Sequence, residues 1–311
     1  MALSIGSNDS AMRASQAASI AARGMEASME RLSTGKRINS ASDDAAGVAI
    51  SSRLSAEVRG TNQSVRNALD AQALLDTAEG SHKEIENVLQ RMREIAVQSA
   101  NDTNNTQDRL NLQTEMNSMI KEIDRIAHAT TWAGQNLLDG DANGDPDTNA
   151  AFSFQVGSAT GTQNQISVNI GSTTAESLGL THTDGNSLAI VIADATATAN
   201  GRTATEHVTG NAATTAAGNA MVTIGVIDAA IEEVNTQRST LGATANRLNH
   251  TVNNLTNISA NLSSAQGRIQ DADFAIETTN LAKNQILQQA STAMLAQANA
   301  SQANVLGLLR S

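Results

Sequence analysis

Hydrophobic positions along the chain fall into long stretches of helical period separated by polar breaks. From Ile227, alternating steps of four and three residues lead through Ile231, Val234, Arg238, Leu241, Ala245, Leu248, Val252, Leu255, Ser259, Leu262 and Gln266 to Ile269. Ten of these thirteen positions are apolar. Such a sustained heptad seam predicts one long helix of roughly 65 Å. The N-terminal side supplies matching seams: Ile85, Val88, Met92 and Ile95; Leu112, Met116, Met119, Ile123 and Ile126; and, more loosely, Ile50, Leu54, Val58, Val65 and Ala68. The polar cluster at 101–106 between the first two predicts a turn. Residues 1–138 and 221–311 therefore read as helical. The expected fold is mainly α, a long antiparallel helical bundle or coiled coil formed by the N- and C-terminal segments.

The middle of the chain changes period. Phe152, Phe154 and Val156 alternate with Ser153 and Gln155, and Ile166, Val168 and Ile170 alternate with Ser167 and Asn169. With the turn-like stretch 157–162 between them, they predict a β-hairpin at about 152–170. Residues 187–192 read as a further strand, and 195–220 are of low complexity. The middle is thus a hairpin followed by a small β/loop insertion.

The two ends carry a second signal. Residues 284–309 contain no charged side chain, and apolar doublets recur at Ile286-Leu287, Met294-Leu295, Val305-Leu306 and Leu308-Leu309. Adjacent helical residues lie about 100° apart, so doublets widen the apolar stripe beyond one seam. The same stretch carries eight side-chain amides, which disfavour a bilayer span. Residues 1–22 are similarly poor in charge. Helices that need burial on more than one face, in a chain with little else to cover them, are expected to finish folding in an assembly. The candidate interface is Leu281, Ile286, Leu287, Met294, Leu295, Val305, Leu306, Leu308 and Leu309.

Composition narrows the chemistry. The 311 residues include no cysteine, one proline and few aromatics, so the core must be built from aliphatic residues, which suits close-packed helices. Absence of cysteine removes disulfides, thiolate metal sites and cysteine nucleophiles. A net charge of −11 argues against nucleic acid as a partner. No signal peptide and no membrane span are legible, which by themselves suggest a soluble cytoplasmic chain.

Five histidines lie scattered without a metal motif; His82 and His128, flanked by charges on predicted helices, read as solvated or capping. The stretch 139–145 partly resembles a calcium loop, but Pro146 and Ala150 stand where the loop needs other residues, and a polar turn is the simpler reading. Ser40 or Ser42, with Asp43-Asp44 before Ala45-Ala46-Gly47-Val48, reads as a helix start, with Gly47 permitting close approach. No catalytic constellation and no cofactor or metal site is evident.

Several stretches are family-like. Residues 31–47, RLSTGKRINSASDDAAG, resemble the N-terminal signature of bacterial flagellins. So do the opening MALSI, the run LQRMREIAVQ at 89–98 and EIDRIA at 122–127. In the C-terminal half, Leu241-Gly242-Ala243, Asn246-Arg247-Leu248, RIQDADF at 268–274, QILQQA at 285–290 and LAQAN at 295–299 match as well. The resemblance covers about 1–180 and 221–311, leaving 181–220 as a variable region.

The resemblance implies a structural, non-enzymatic subunit of a motility filament. Residues 1–42 with 271–311 would line the filament channel as inner-core helices. Residues 43–180 with 221–270 would form the outer-core bundle and its hairpin, and 181–220 a short exposed segment. It further implies export through the flagellar type III channel without a cleaved signal, hence an extracellular location. Implied partners are other copies of the chain, cap and hook–filament junction proteins, and an export chaperone on the C-terminal helix. Toll-like receptor 5 is a further implied partner, with Arg91, Ile95 and Glu115 at the matching positions. Neither nucleic acid nor membrane is an expected partner. A hook–filament junction protein, an enzyme housed in the variable region and a coiled-coil adhesin are the competing readings.

Overall fold

A computed structural model describes residues 8–140, 150–180, 198–199, 202–203 and 216–308. Five α-helices dominate them: α1 (Asp9–Thr34), α2 (Ala45–Ala100), α3 (Thr106–Ala129), α4 (Ala216–Gln270) and α5 (Phe274–Leu308). Three antiparallel strand pairs and a single-turn 3-10 helix (Thr162–Asn164) complete the described elements: β1 (Thr131–Trp132) with β2 (Gln135–Asn136), β3 (Ala150–Gln155) with β4 (Gln165–Ile170), and β5 (Thr198–Ala199) with β6 (Arg202–Thr203). The mainly helical fold matches the expectation from the seams. The chain divides into two compact units, 1–59 with 259–311, and 60–258, and α2 and α4 contribute residues to both.

Unit 60–258 holds most of the aliphatic core. Ile85, Leu89, Met92 and Ile95 of α2, Met116, Ile120 and Ile123 of α3, and Ile227, Val234, Leu241 and Leu248 of α4 are buried together. Each of the thirteen heptad positions from Ile227 to Ile269 is buried or half-buried. The polar Arg238 among them reaches the carboxylate of Glu86 and lies 3.7 Å from Glu79, so the helical period survives a charged residue by pairing it. At the 101–105 turn, the Asn105 side chain accepts from the Asp108 N–H and the Asp108 carboxylate accepts from the Asn105 N–H. This reciprocal cap starts α3.

The predicted hairpin forms with Phe152 opposite Val168 and Phe154 opposite Ile166. Alternation places Ile166, Val168 and Ile170 inside, and the rings of Phe152 and Phe154 stack at 6.4 Å. The segment after it, 171–180, is mostly buried without belonging to a helix or strand. The Thr173 N–H donates to Leu138 O (2.8 Å) and the Ala175 N–H to the Asp124 carboxylate (2.7 Å). These bonds satisfy backbone groups that burial would otherwise leave unpaired.

Several expectations are corrected. Residues 131–136 are a tight hairpin, not helix. Ala133 (φ 50°) and Gly134 (φ 84°) turn the chain with positive φ at both central positions, as the type I′ turn of a two-residue hairpin requires. His82 is fully buried and neither ring nitrogen has a hydrogen-bond partner, because the α2 face that carries it packs inward. Ile50 is exposed, while its neighbour Ser51 is buried and donates to Gln270 Oε1 (3.1 Å). The strand expected at 187–192, the calcium-like loop beyond Gly140, His182 and His207 lie outside the described residues.

Candidate assembly interface

In unit 1–59 with 259–311, α1 and α5 run antiparallel and meet along two heptad seams. On α1 the inward positions are Ala11, Ala14, Ala18, Ala21, Met25, Ser28 and Leu32; on α5 they are Glu277, Leu281, Asn284, Gln288, Ser291, Leu295 and Ala298. Small residues on α1 let the backbones approach, and polar side chains on α5 fill the contact. The Arg31 guanidinium donates to Glu277 Oε1 (3.1 Å), and the Asn8 side-chain amide donates to Ala298 O (3.3 Å). A Cβ built on Gly24 would come within 2.7 Å of the Asn284 amide.

The signature stretch 31–47 builds the end of this helix pair. Gly35 adopts φ 70° and terminates α1. Lys36 and Asp271 form an antiparallel bridge, the Ala272 N–H donates to Gly35 O (2.9 Å), and the Arg37 N–H donates to Gln270 O (2.7 Å). Ile38 is buried. The Asp43 carboxylate accepts from the Ser40 N–H (2.9 Å), the Asn39 N–H (3.1 Å) and the Ser40 hydroxyl. These bonds, led by the Ser40 N–H, hold its carboxyl below the usual range. Asp44, rather than Ser40 or Ser42, starts α2, its carboxylate accepting from the Gly47 N–H (2.8 Å). Gly47 lacks a Cβ that would lie 2.6 Å from both that carboxylate and Ile38 Cδ1.

Outside the seam the helix pair is poorly covered. Among the described residues of α1 and α5, only Ala21, Ser28 and Glu277 are buried. Met12, Ile20, Met29, Phe274, Ile276, Ile286, Leu287 and Met294 are exposed, Met12 by 67% and Ile286 by 65%. So many exposed large apolar side chains on one helix pair mark an interaction surface. The same residues of the chain, 1–59 and 259–311, are nearly neutral, so the net charge of −11 falls on 60–258.

The sequence-selected residues separate by face. Leu281 and Leu295 are half-buried on the seam, while Ile286, Leu287 and Met294 point outward. Val305, Leu306 and Leu308 lie in the last turns of α5; their side chains, and Leu309 as a whole, lie outside the described residues. In unit 60–258, the exposed Arg91 donates to Glu94 (2.8 Å) and to Glu115 (3.0 Å). Ile95, expected on the same surface, is fully buried in the core and can influence that surface only from beneath. Arg31, Glu277, Gly24 and Asn284 escaped the reading of apolar periodicity because none is a large hydrophobe; their signal is the seven-residue spacing of Gly24 and Arg31 on α1 and of Glu277 and Asn284 on α5. Among the described residues, no group of three or more acidic or histidine side chains is placed to hold a metal ion, and no helix is long and apolar enough to cross a membrane.

Residues 5–143 match the family model described as the bacterial flagellin N-terminal helical region, and 224–309 match the bacterial flagellin C-terminal helical region. A flagellin of Bacillus subtilis is 42% identical over 289 residues, covering 91% of this chain and 91% of its own length. A flagellar filament 30.7 kDa core protein of Treponema maltophilum is 35% identical over 305 residues, covering 98% and 99%. The solved structure of a protein described as flagellar hook-associated, from Vibrio parahaemolyticus, aligns with TM-score 0.55 over 74% of this chain and all of its own. At 18% identity that likeness concerns the fold alone.

Proposed function

The chain belongs to the bacterial flagellin family and is a non-catalytic structural subunit that polymerises into flagellar filaments, and from this premise we propose that the α1–α5 pair is the surface through which copies join. The exposed apolar row on two helices with almost no buried core supports this most directly. Burying such side chains between copies contributes about 1.5–3 kcal/mol for each one fully covered, which offsets the entropy of ordering the tails. Near-neutral charge in the same segments lets many copies approach without mutual repulsion.

Within the filament, residues 1–42 and 271–311 form the inner tube around the channel, 43–180 and 221–270 the outer layer, and 181–220 the exposed segment. Leu281, Ile286, Leu287, Met294, Leu295, Val305, Leu306, Leu308 and Leu309 supply apolar contact within and between copies. The chain leaves the cell through the flagellar type III channel without a cleaved signal and works outside. A chaperone shields the C-terminal helix before export, and cap and junction proteins meet the subunit at the filament ends. Electron microscopy and amide exchange on one preparation test the central reading. The purified chain is expected to form long filaments, with both terminal helices weakly protected in dilute monomer and strongly protected after assembly. Absence of filaments, or strong protection already in the monomer, contradicts it.

We also propose that the exposed pair Arg91 and Glu115 belongs to a surface that Toll-like receptor 5 engages on the free subunit. Arg91→Ala is expected to weaken receptor activation at least tenfold while leaving thermal stability unchanged, because the ion pairs it loses are solvent-exposed. Undiminished activation would remove Arg91 from that surface.

A further inference from the structure

We propose that the Arg31–Glu277 ion pair and the seating of Asn284 over Gly24 set the axial register of α1 against α5. That register decides which outward side chains a subunit presents to its neighbours; the inference rests on the filament reading above.

The need for such a device follows from the seam. Most inward positions of α1 are alanine or serine, and Leu281 and Leu295 face them two heptads apart. Displacing α5 by one heptad, about 10 Å along the axis, again sets its leucines against a row in which five of the seven inward positions are alanine or serine. Apolar burial therefore discriminates poorly between registers. Coiled coils resolve the same degeneracy with a polar residue in the seam.

Two contacts here do discriminate. The Glu277 side chain is only 8% exposed, with Oε1 on Arg31 and Oε2 buried without a hydrogen-bond partner. Shifted by a heptad, its carboxylate loses Arg31, and the other cations of α1, Arg13 and Arg23, are exposed. A buried carboxylate left without its cation is strongly destabilising. One heptad further along both helices, Asn284 occupies the space that Gly24, the single glycine of α1, leaves open. Elsewhere on the seam a Cβ stands in that place. Both contacts favour one register and oppose its neighbours, and both are spaced by the seam's own period.

The register has a consequence for the surface. It brings Met12 and Leu295 to one groove and holds the exposed Ile20 near the level of Ile286 and Leu287. A displaced α5 would break up this grouping while leaving both helices intact.

The absence of cysteine makes paired labelling direct. Spin labels on Ser15→Cys and Ala293→Cys, in subunits diluted into unlabelled wild-type filaments, report the register as one distance. Three backgrounds are compared: wild type, the reversed pair Arg31→Glu with Glu277→Arg, and the apolar pair Arg31→Leu with Glu277→Leu. The same variants without labels are followed for polymerisation rate. The reversed pair is expected to polymerise within threefold of wild type with the same single distance. The apolar pair is expected to keep its helical content, polymerise at least tenfold more slowly, and show a second distance from the displaced register. An apolar pair that matches wild type in rate and distance would mean that the backbone bridge between Lys36 and Asp271 suffices, and would overturn the proposal. Failure of the reversed pair to polymerise any better than the apolar pair would overturn it equally. Failure of the unsubstituted chain to form filaments would instead count against the filament reading itself.

Discussion

His82 is a residue whose surroundings matter more than its sequence neighbours. Its ring is fully buried and neither nitrogen has a partner. Burial first, and the positive charge of Arg238 second, lower its pKa from 6.5 to about 4. Glu79 and Glu86 share the helix with it, and their carboxylates are drawn toward Arg238. Between these two pKa values the unfolded chain binds a proton that the folded chain refuses. The neutral ring's contribution to stability is complete above about pH 6.5 and is lost as pH falls toward 4, to an extent of about 3 kcal/mol. His82→Leu removes both the proton linkage and two unpartnered polar atoms. Urea unfolding followed by Trp132 fluorescence is expected to find the variant at least as stable at pH 7 and clearly more stable at pH 4.5. Parallel pH profiles for the two proteins would show that the ring carries no such linkage.

At the scale of elements, α2 and α5 show two uses of the same heptad period. Along α2 the inward positions Ile85, Leu89, Met92 and Ile95 are large and wholly buried, so unit 60–258 has a core of its own. Along α5 the inward positions are Glu277, Asn284, Gln288 and Ser291 among two leucines, and large apolar residues face outward. Helical stability in α5 must come from packing that one partner helix supplies only in part. Deleting 284–311 is therefore expected to abolish filament formation while circular dichroism still reports the helices of 60–258 unfolding cooperatively. Filaments from the truncated chain would show that the exposed row is not the joining surface.

The whole molecule separates an acidic, self-sufficient unit from a nearly neutral one with little core. That division agrees with a subunit designed to be completed by its neighbours. Its helical character, the β3–β4 hairpin and the seam from Ile227 to Ile269 were legible as periodicities of 3.5 and 2, and the turn before α3 as the polar cluster at 101–106. Flagellin membership was legible in the signature stretches, whose local geometry explains their composition. Gly35 is there for its positive φ, Asp43 for the turn and Asp44 for the start of α2. The reading of 131–136 as helix failed because a two-residue turn is set by backbone dihedrals, not by a hydrophobic period. The reading of His82 as solvated failed because flanking charges do not reveal which helix face turns inward.

The order of residues by itself determined most of the helical segments and which pair of strands forms the central hairpin. These are consequences of local propensity and spacing, and they do not depend on what lies across a contact. Tertiary structure decided which half of each helix faces a neighbour, that Arg31 meets Glu277 across 246 positions of chain, that Ile95 is buried while Arg91 on the same helix is exposed, and that most of 171–180 is buried without helix or strand. Those outcomes depend on pairings between distant residues, where one side chain's charge or missing Cβ acquires meaning only from the partner that folding brings to it.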